Sequence, residues 1–517
     1  MRTSKRTESS RDGQLTLFTD WYSVWPGSVG FDQDQNGQLM DAPQGVRLSV
    51  QQGEVTDAVL KPDRPWEDIL GYASVLRCDS GFKMWYHSTA LVPVSNTNES
   101  AAASEFDPMA GHFASVRKTH FVCYAESKDG HEWFKPELGR YEFRGSTHNN
   151  ILFECKHFDS VFLDREGKFR LLYHGDPIPG GNAQWKTMRS MVSENGIDWT
   201  PCEAAVTDLH ADTQNVGFYD RLLDKYVCYV RYARGAQRRA MAMTEGSDFH
   251  DLPHPRMVLD TDPADPPTMD IYTNAYSRHP DYEHANHSEQ ITHKMGKRPI
   301  AHQHDARDMH YMFPAMYHRD RDVLDIQLAV SRDGQCWQRP ERKPVIPLGA
   351  AGDSSESTLC AFPGLHELTS DTWGVLFSAS SKLHNTAFTH PNQKTDATYH
   401  WATWKTNRLV ALEAQAEGTC TVQLSGCAKK QLRLNYRTAP GGWIRVELIT
   451  KDGLWPPTGP APKQGYTFDE CEPMKGDSLS ETVTWNGKSQ LPPSEDEPYT
   501  VIRLHMMRAK LFAIEWG

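Results

Sequence analysis

The sequence predicts an all-β chain: a five-bladed β-propeller over residues 61–405, then a β-sandwich over 406–517, with residues 1–60 as a lead-in packed on the propeller. Three observations carry this. A short phrase recurs, with Ser127, Asp129, Gly130 and Trp133 in one copy, Ser193, Asn195, Gly196 and Trp199 in another, and Ser331, Asp333, Gly334 and Trp337 in a third. The second interval between copies is about twice the first, as expected for one hairpin per repeated sheet. Short apolar runs between Gly, Pro and Asx turns continue to the C-terminus, and helical periodicity is nearly absent.

Each copy follows an apolar run and precedes a proline, Pro136, Pro201 or Pro340. Asp-Gly or Asn-Gly between strand-like runs predicts a type I′ hairpin, whose two central residues both take positive φ. The first unit has strands near 69–76, 82–86 and 120–126, and the second near 160–163, 168–174 and 186–193. The third covers 215–219, 226–232 and 239–244, closed by a worn copy of the phrase at Ser247, Asp248 and Phe249. The fourth opens near Asp270, breaks for an insertion over 279–310, and resumes at 309–318 and 324–331. The fifth covers 357–362, 372–378 and 398–404, so the units count five blades, with six, one of them degenerate, as the alternative. Past Thr406, short alternating runs predict the antiparallel sandwich.

Bulk properties exclude several classes. A chain of 517 residues exceeds one ordinary core. A formal charge of −12 argues against nucleic acid, whose phosphates select basic surfaces. No stretch approaches the ~20 apolar residues of a membrane span. The first residues are polar and charged without the apolar centre of a secretory signal, which points to the cytoplasm. The ten cysteines include no Cys-x-x-Cys pair and read as buried thiols.

A propeller brings the opening strand of each blade to one central channel, so polar residues at those strand starts converge. Each unit offers an acid there: Glu67, Asp159, Asp212, Asp270 and Glu356. Carboxylates crowded in one funnel push each other's pKa values apart, leaving the acid and base pair that glycosidic cleavage needs. Glu67, Asp159, Asp212 and Glu356 are the expected catalytic groups. Trp66, His157, Gln214, Asn215, Asp270, Tyr272 and Arg231 are the expected substrate contacts, with Trp185 a further ring for a sugar face. Arg231, Arg234, Arg238 and Arg239 form a basic cluster suited to an anionic group. The insertion holds His279, His284, His287, His293, His302 and His304, in no known zinc spacing. The partner expected is a carbohydrate. No cofactor is required, although the channel has a place for a structural divalent cation.

The phrases also carry a resemblance. The recurring Ser-x-Asp-Gly-x-x-Trp, the run from Trp133 through Pro136 to Gly139, the following Phe143, Gly145, Ser146, Asn149, Asn150 and Ile151, and the stretch from Leu324 to Gly334 are similar to glycoside hydrolase family 32- and 43-like, or invertase- and arabinanase-like, five-bladed propeller proteins. The resemblance covers about residues 60–405 and implies a glycosidase, with the trailing sandwich also as in those proteins. By position it implies Glu67 as nucleophile or base, Asp159 as the stabilising or pKa-tuning acid, and Asp212 as the acid. The Trp-x-Asn-Asp-Pro-Asn-Gly, Arg-Asp-Pro and Glu-Cys-Pro motifs of those families are absent, and Glu154, Cys155 and Lys156 do not reproduce the last. A non-catalytic carbohydrate-binding protein and a glycoside phosphorylase are the alternative readings.

Overall fold

A computed structural model describes residues 13–31, 36–93, 116–175, 187–207, 211–285, 293–295, 298–300, 305–386, 394–425, 427–449, 461–493 and 499–517. Its elements are β-strands, with short 3-10 turns at Tyr282–His284 and Ala306–Asp308. No helix among the described residues is long and apolar enough to cross a membrane.

The repeated phrase folds the same way three times. Ser127, Ser193 and Ser331 each accept on Oγ the N–H of the glycine three residues on, at 2.9 Å. The following Asp129, Asn195 or Asp333 accepts two backbone N–H groups on Oδ1, at 2.8–3.0 Å. Only the glycines take positive φ, at 82°, 79° and 71° for Gly130, Gly196 and Gly334. The expected type I′ turn, with both central residues at positive φ, is therefore replaced. The carboxylate or amide collects the two N–H groups of a wider turn and holds its own residue at negative φ.

The Trp of each copy donates its indole N–H to the glycine carbonyl, Trp133 to Gly130, Trp199 to Gly196 and Trp337 to Gly334, at 2.9–3.1 Å. That carbonyl is shared. Gly130 O also accepts from Trp401 at 2.7 Å, Gly196 O from Trp85 at 2.6 Å, and Gly334 O from Tyr229 OH at 2.8 Å. Each second donor comes from the neighbouring sheet, so every copy clamps two sheets together.

Four-stranded antiparallel sheets follow one another along the chain. The first is Ile69–Cys78, Gly81–Pro93, Val116–Ser127 and Ile151–Glu154. The second is Phe158–Leu163, Phe169–Gly175, Thr187–Ser193 and Thr200–Pro201, and the third is Val216–Asp220, Lys225–Arg234, Arg238–Gly246 and Arg256–Leu259. A fourth group, from Met269–Ile271 to Ala329–Ser331, meets a fifth of Thr358–Ala361, Thr372–Ser380, Thr398–Lys405 and Glu54–Val55 through one parallel bridge between Leu324 and Thr358. Apolar cores lie between these groups. Trp85 and Tyr124 pack with Val161 and Leu171, Phe162 and Leu172 with Cys228 and Val230, and Tyr229 and Met241 with Ile271 and Met312. Phe313 and Ile326 pack with Val375 and Phe377, and the fifth group packs back on the first through Leu376, Trp401, Val75 and Met84. Each such side chain withdrawn from water is worth about 1.5–3 kcal/mol.

Beyond residue 405 the strands are long. Val410–Ser425, Leu432–Ile449 and Tyr499–Trp516 join Asp477–Thr482 in one six-stranded sheet, where the sequence predicts a sandwich. Register shifts at Ala414/Glu417, Asn435/Tyr436 and Thr438/Trp443 interrupt these strands, and bulges of that kind bend a sheet. Its core gathers Leu412, Val422, Leu434, Ile444, Trp485 and Ile502. Residues 1–60, expected as a lead-in on the propeller, contribute here too: Gln14–Leu17 pairs with the last strand and Arg47–Val50 with Val410–Ser425. Glu54–Val55 then completes the fifth group against Thr398–Lys405. All ten cysteines are free thiols.

Candidate functional site

The opening strands of the sheets are tied by polar side chains. Ser74 Oγ donates to Val161 O at 3.1 Å and accepts Val161 N–H at 3.0 Å. Gln214 Nε2 donates to Ala73 O at 2.8 Å and Asp159 O at 2.9 Å, which makes this expected sugar contact a buried staple across the strand starts. A cavity of about 300 Å³ opens at this end, lined by Tyr72, His87, Lys156, His157, Thr358, Ser378, Lys382 and His384 among others. None of the described lining residues is a carboxylate.

Asp159 sits behind the cavity wall. The register of Phe158–Leu163 against Phe169–Gly175 slips between Phe158 and Ser160, leaving Asp159 as the extra residue of a bulge, which re-aims its side chain. It is fully buried. Oδ1 lies 3.3 Å from His157 Nδ1 and Oδ2 lies 3.2 Å from His174 Nδ1, while Asn215 Nδ2 donates to Oδ2 at 3.4 Å. Burial pushes the Asp159 carboxyl up, but His174 and His157 more than reverse this and hold it below the ordinary value. Burial pushes the His157 imidazole down, but Asp159 and, less strongly, Asp212 leave it raised. His157 thus lies beside the Asp159 carboxylate, feels the charge of Asp212, and reaches the cavity.

Asp212 is solvent-facing, its side chain 66% exposed, and pairs with the buried Arg231. Its carboxyl feels some burial, which raises its pKa, but Arg231 outweighs this and keeps it below the usual range. Arg231 also donates to Tyr272 O at 3.2 Å and stacks 4.2 Å above the Tyr272 ring. Asn215 Oδ1 accepts the Arg231 backbone N–H at 3.0 Å. Asp159, Asp212, His157, Asn215, Arg231 and Tyr272 are therefore brought together.

The other expected residues are placed elsewhere. Glu67 is buried in the first sheet, where it accepts Tyr86 OH at 2.6 Å, Lys135 Nζ at 2.8 Å and Asp63 N–H at 3.0 Å. Trp66 donates to Asn150 Oδ1 at 3.0 Å in the same core. Asp270 is held by Arg239 at 3.1 Å and Arg319 at 2.7 Å. Glu356 closes its own turn by accepting Gly352 N–H. The basic cluster is largely neutralised, with Arg234 on Asp260 and Arg239 on Asp270. Of the insertion histidines, His279 is buried 3.0 Å from Asn407 Oδ1. The side chains of His287, His293, His302 and His304, and Trp185, lie outside the described residues.

His174, His87 and His384 are functional-site neighbours that the sequence did not single out. His174 and His87 lie in apolar strand runs and read as packing. Burial, reinforced by His120 and His157, pushes His87 down to about 3. Burial also brings His384 to about 4.

No family model matches the chain, and no curated protein matches it. Among solved structures, an N-acetylgalactosamine deacetylase from F. plautii is 12% identical, over 71% of this chain and 97% of that one, at a TM-score of 0.41. A β-1,2-mannobiose phosphorylase from Listeria innocua is 11% identical, over 68% and 96%, at 0.42. An exo-β-1,3-galactanase from Phanerochaete chrysosporium is 10% identical, over 89% and 100%, at 0.34. Further glycoside hydrolases, a fructofuranosidase from Schwanniomyces occidentalis included, are of the same low similarity. All these TM-scores are below 0.5, so the reading of the site rests on its own residues.

Proposed function

We propose that the five strand groups are blades of a closed β-propeller and that the chain is a carbohydrate-active enzyme, a glycoside hydrolase working at the cavity where the blades open. The supporting observation is a buried carboxylate, Asp159, 3.3 Å from a cavity-wall imidazole, His157, which also feels the charge of the solvent-facing Asp212. Glu67, Asp270 and Glu356 are held by partners away from the cavity lining, whereas Asp159 and Asp212 are held by groups beside it. Asp212, kept ionised by Arg231, is the base or nucleophile, and Tyr272 fixes that arginine from its far side. The absence of carboxylates among the described lining residues, with Lys156 and Lys382 present, favours phosphorolysis as the second reading, since phosphate needs a cationic pocket.

The test is release of reducing sugar or sugar phosphate from an oligosaccharide library, with and without inorganic phosphate, by the native chain and Asp212→Asn. Hydrolysis should fall at least a hundredfold in the variant while ligand binding persists. Undiminished turnover in Asp212→Asn removes this assignment. Phosphate-dependent release selects the phosphorylase, and binding without any turnover selects a recognition protein.

A further inference from the structure

The buried group beside the cavity has a composition that acid–base chemistry on a glycosidic bond does not require. Two imidazoles and one carboxylate meet, and one ligand atom from each of His157, Asp159 and His174 lies within 4.8 Å of the others. Among the described residues this is the one His/Cys/Asp/Glu cluster that closes so tightly. We propose that His157, Asp159 and His174 hold one divalent transition-metal ion of the zinc class, with its remaining coordination positions turned to the cavity. The proposal shares His157 and Asp159 with the proposed glycosidase site, and its test reads metal binding as well as turnover.

The donor set selects the ion. Imidazole nitrogen with a single carboxylate suits zinc, iron or nickel, whereas calcium and magnesium favour shells of oxygen. Bond lengths of about 2.0–2.2 Å place the ligand atoms of one ion about 3–4 Å apart. His157 Nδ1 and His174 Nδ1 already lie 3.3 and 3.2 Å from the Asp159 oxygens, so a small inward movement of the rings completes the site.

A second observation points the same way. Asp159 Oδ1 and His157 Nδ1 are both shut off from solvent, and neither has a partner in hydrogen-bond geometry although they face each other. Buried polar atoms are rarely left so. Two such atoms 3.3 Å apart are placed to share a third body. The bulge at Asp159 supplies the aim, and Asn215 Nδ2 at 3.4 Å supports the carboxylate from behind. The long contact from Ala211 N–H to His174 Nε2, at 3.4 Å, is weak enough to yield to a ring rotation. Only His157 of the three lines the cavity, so water or a sugar hydroxyl reaches the ion from that side. Three protein ligands with open positions form a reactive rather than a purely structural arrangement.

The experiment uses the whole chain, stripped with chelator and titrated calorimetrically with zinc, manganese and calcium, with metal content read by mass spectrometry and cobalt absorption as a ligand-field readout. One zinc per chain, no calcium, and a raised unfolding temperature are expected. Asp159→Asn and His174→Gln should each weaken zinc at least tenfold and abolish the thermal shift. If one variant does not fold, the other and the cobalt spectrum of the native chain carry the test. Failure of the native chain to bind zinc overturns the proposal. So does binding that survives both substitutions, which places the ion elsewhere, for instance in the histidine-rich insertion. A metal-free chain that cleaves glycosides at full rate overturns this inference and leaves the glycosidase reading intact. A loaded chain without turnover does the reverse.

Discussion

Glu67 and Asp159 occupy the same phase at the start of neighbouring sheets, and both are buried, at 2% and 0% exposure. Their surroundings differ. Glu67 receives a phenol, an ammonium and a backbone amide, all at 3.0 Å or less. They pin the 63–67 loop to the segment that follows the first repeated turn. Asp159 faces two imidazoles, at 3.3 and 3.2 Å, and accepts one long amide contact. A buried carboxylate saturated by Lys and Tyr is an anchor. One facing imidazoles beside a cavity is, on the proposed function, the reactive centre.

The largest expected effect lies on the anchor. Glu67→Gln leaves Lys135, whose side chain is 6% exposed, with only the solvent-facing Asp63 as counter-ion, loses charge-assisted hydrogen bonds, and should cost ~2–3 kcal/mol. Chemical denaturation reads this directly, and turnover per folded molecule should not change. A loss under 1 kcal/mol together with lost turnover would exchange the roles of the two acids. At the reactive centre, Asp159→Asn should cut turnover at least a hundredfold, while its unfolding midpoint moves less than that of Glu67→Gln. Equal destabilisation of the two variants would dissolve the distinction. A smaller effect sharpens it through pH. Folded His87 and His384 take protons only near pH 3 and 4, against about 6.5 unfolded, so the unfolded chain binds more protons between these limits. Stability should therefore fall as pH drops from 6.5 towards 4, and a flat midpoint over that window contradicts their burial as neutral rings.

What the sequence revealed follows from the range of each interaction. The Ser-x-Asp-Gly-x-x-Trp turn is local, its bonds span two or three residues, and its three copies fold alike down to the indole donation. The phase of the acids was likewise legible, because strand starts can be read from hairpin spacing. Their partners were not. Lys135 reaches Glu67 from far along the chain, and Arg319 reaches Asp270 across the insertion. His174 hid within the apolar strand Phe169–Gly175, where alternation alone gives it no distinction. The register shifts of the C-terminal sheet, one extra residue at Asn435/Tyr436 and three at Thr438/Trp443, leave no periodic trace. Nor did Leu15 or Leu48 announce that the N-terminal strands would join that sheet.

The doubly used glycine carbonyls set an order in which the molecule comes apart. Trp401, Trp85 and Tyr229 each reach across to the turn of the adjoining sheet. Between the second and third sheets the worn turn at Ser247 and Asp248 shows no such bond among the described residues. Instead Phe249 packs edge-on to Phe162 at 5.3 Å, and Ser190 Oγ lies 3.0 Å from His250 Nε2. Aromatic contact tolerates sliding in a way that a directed N–H···O bond does not. Amide exchange should accordingly begin at the turn end of this joint, ahead of the three clamped turns, while Gln214 Nε2 on Asp159 O and Gly217 N–H on Ser160 Oγ hold its strand starts.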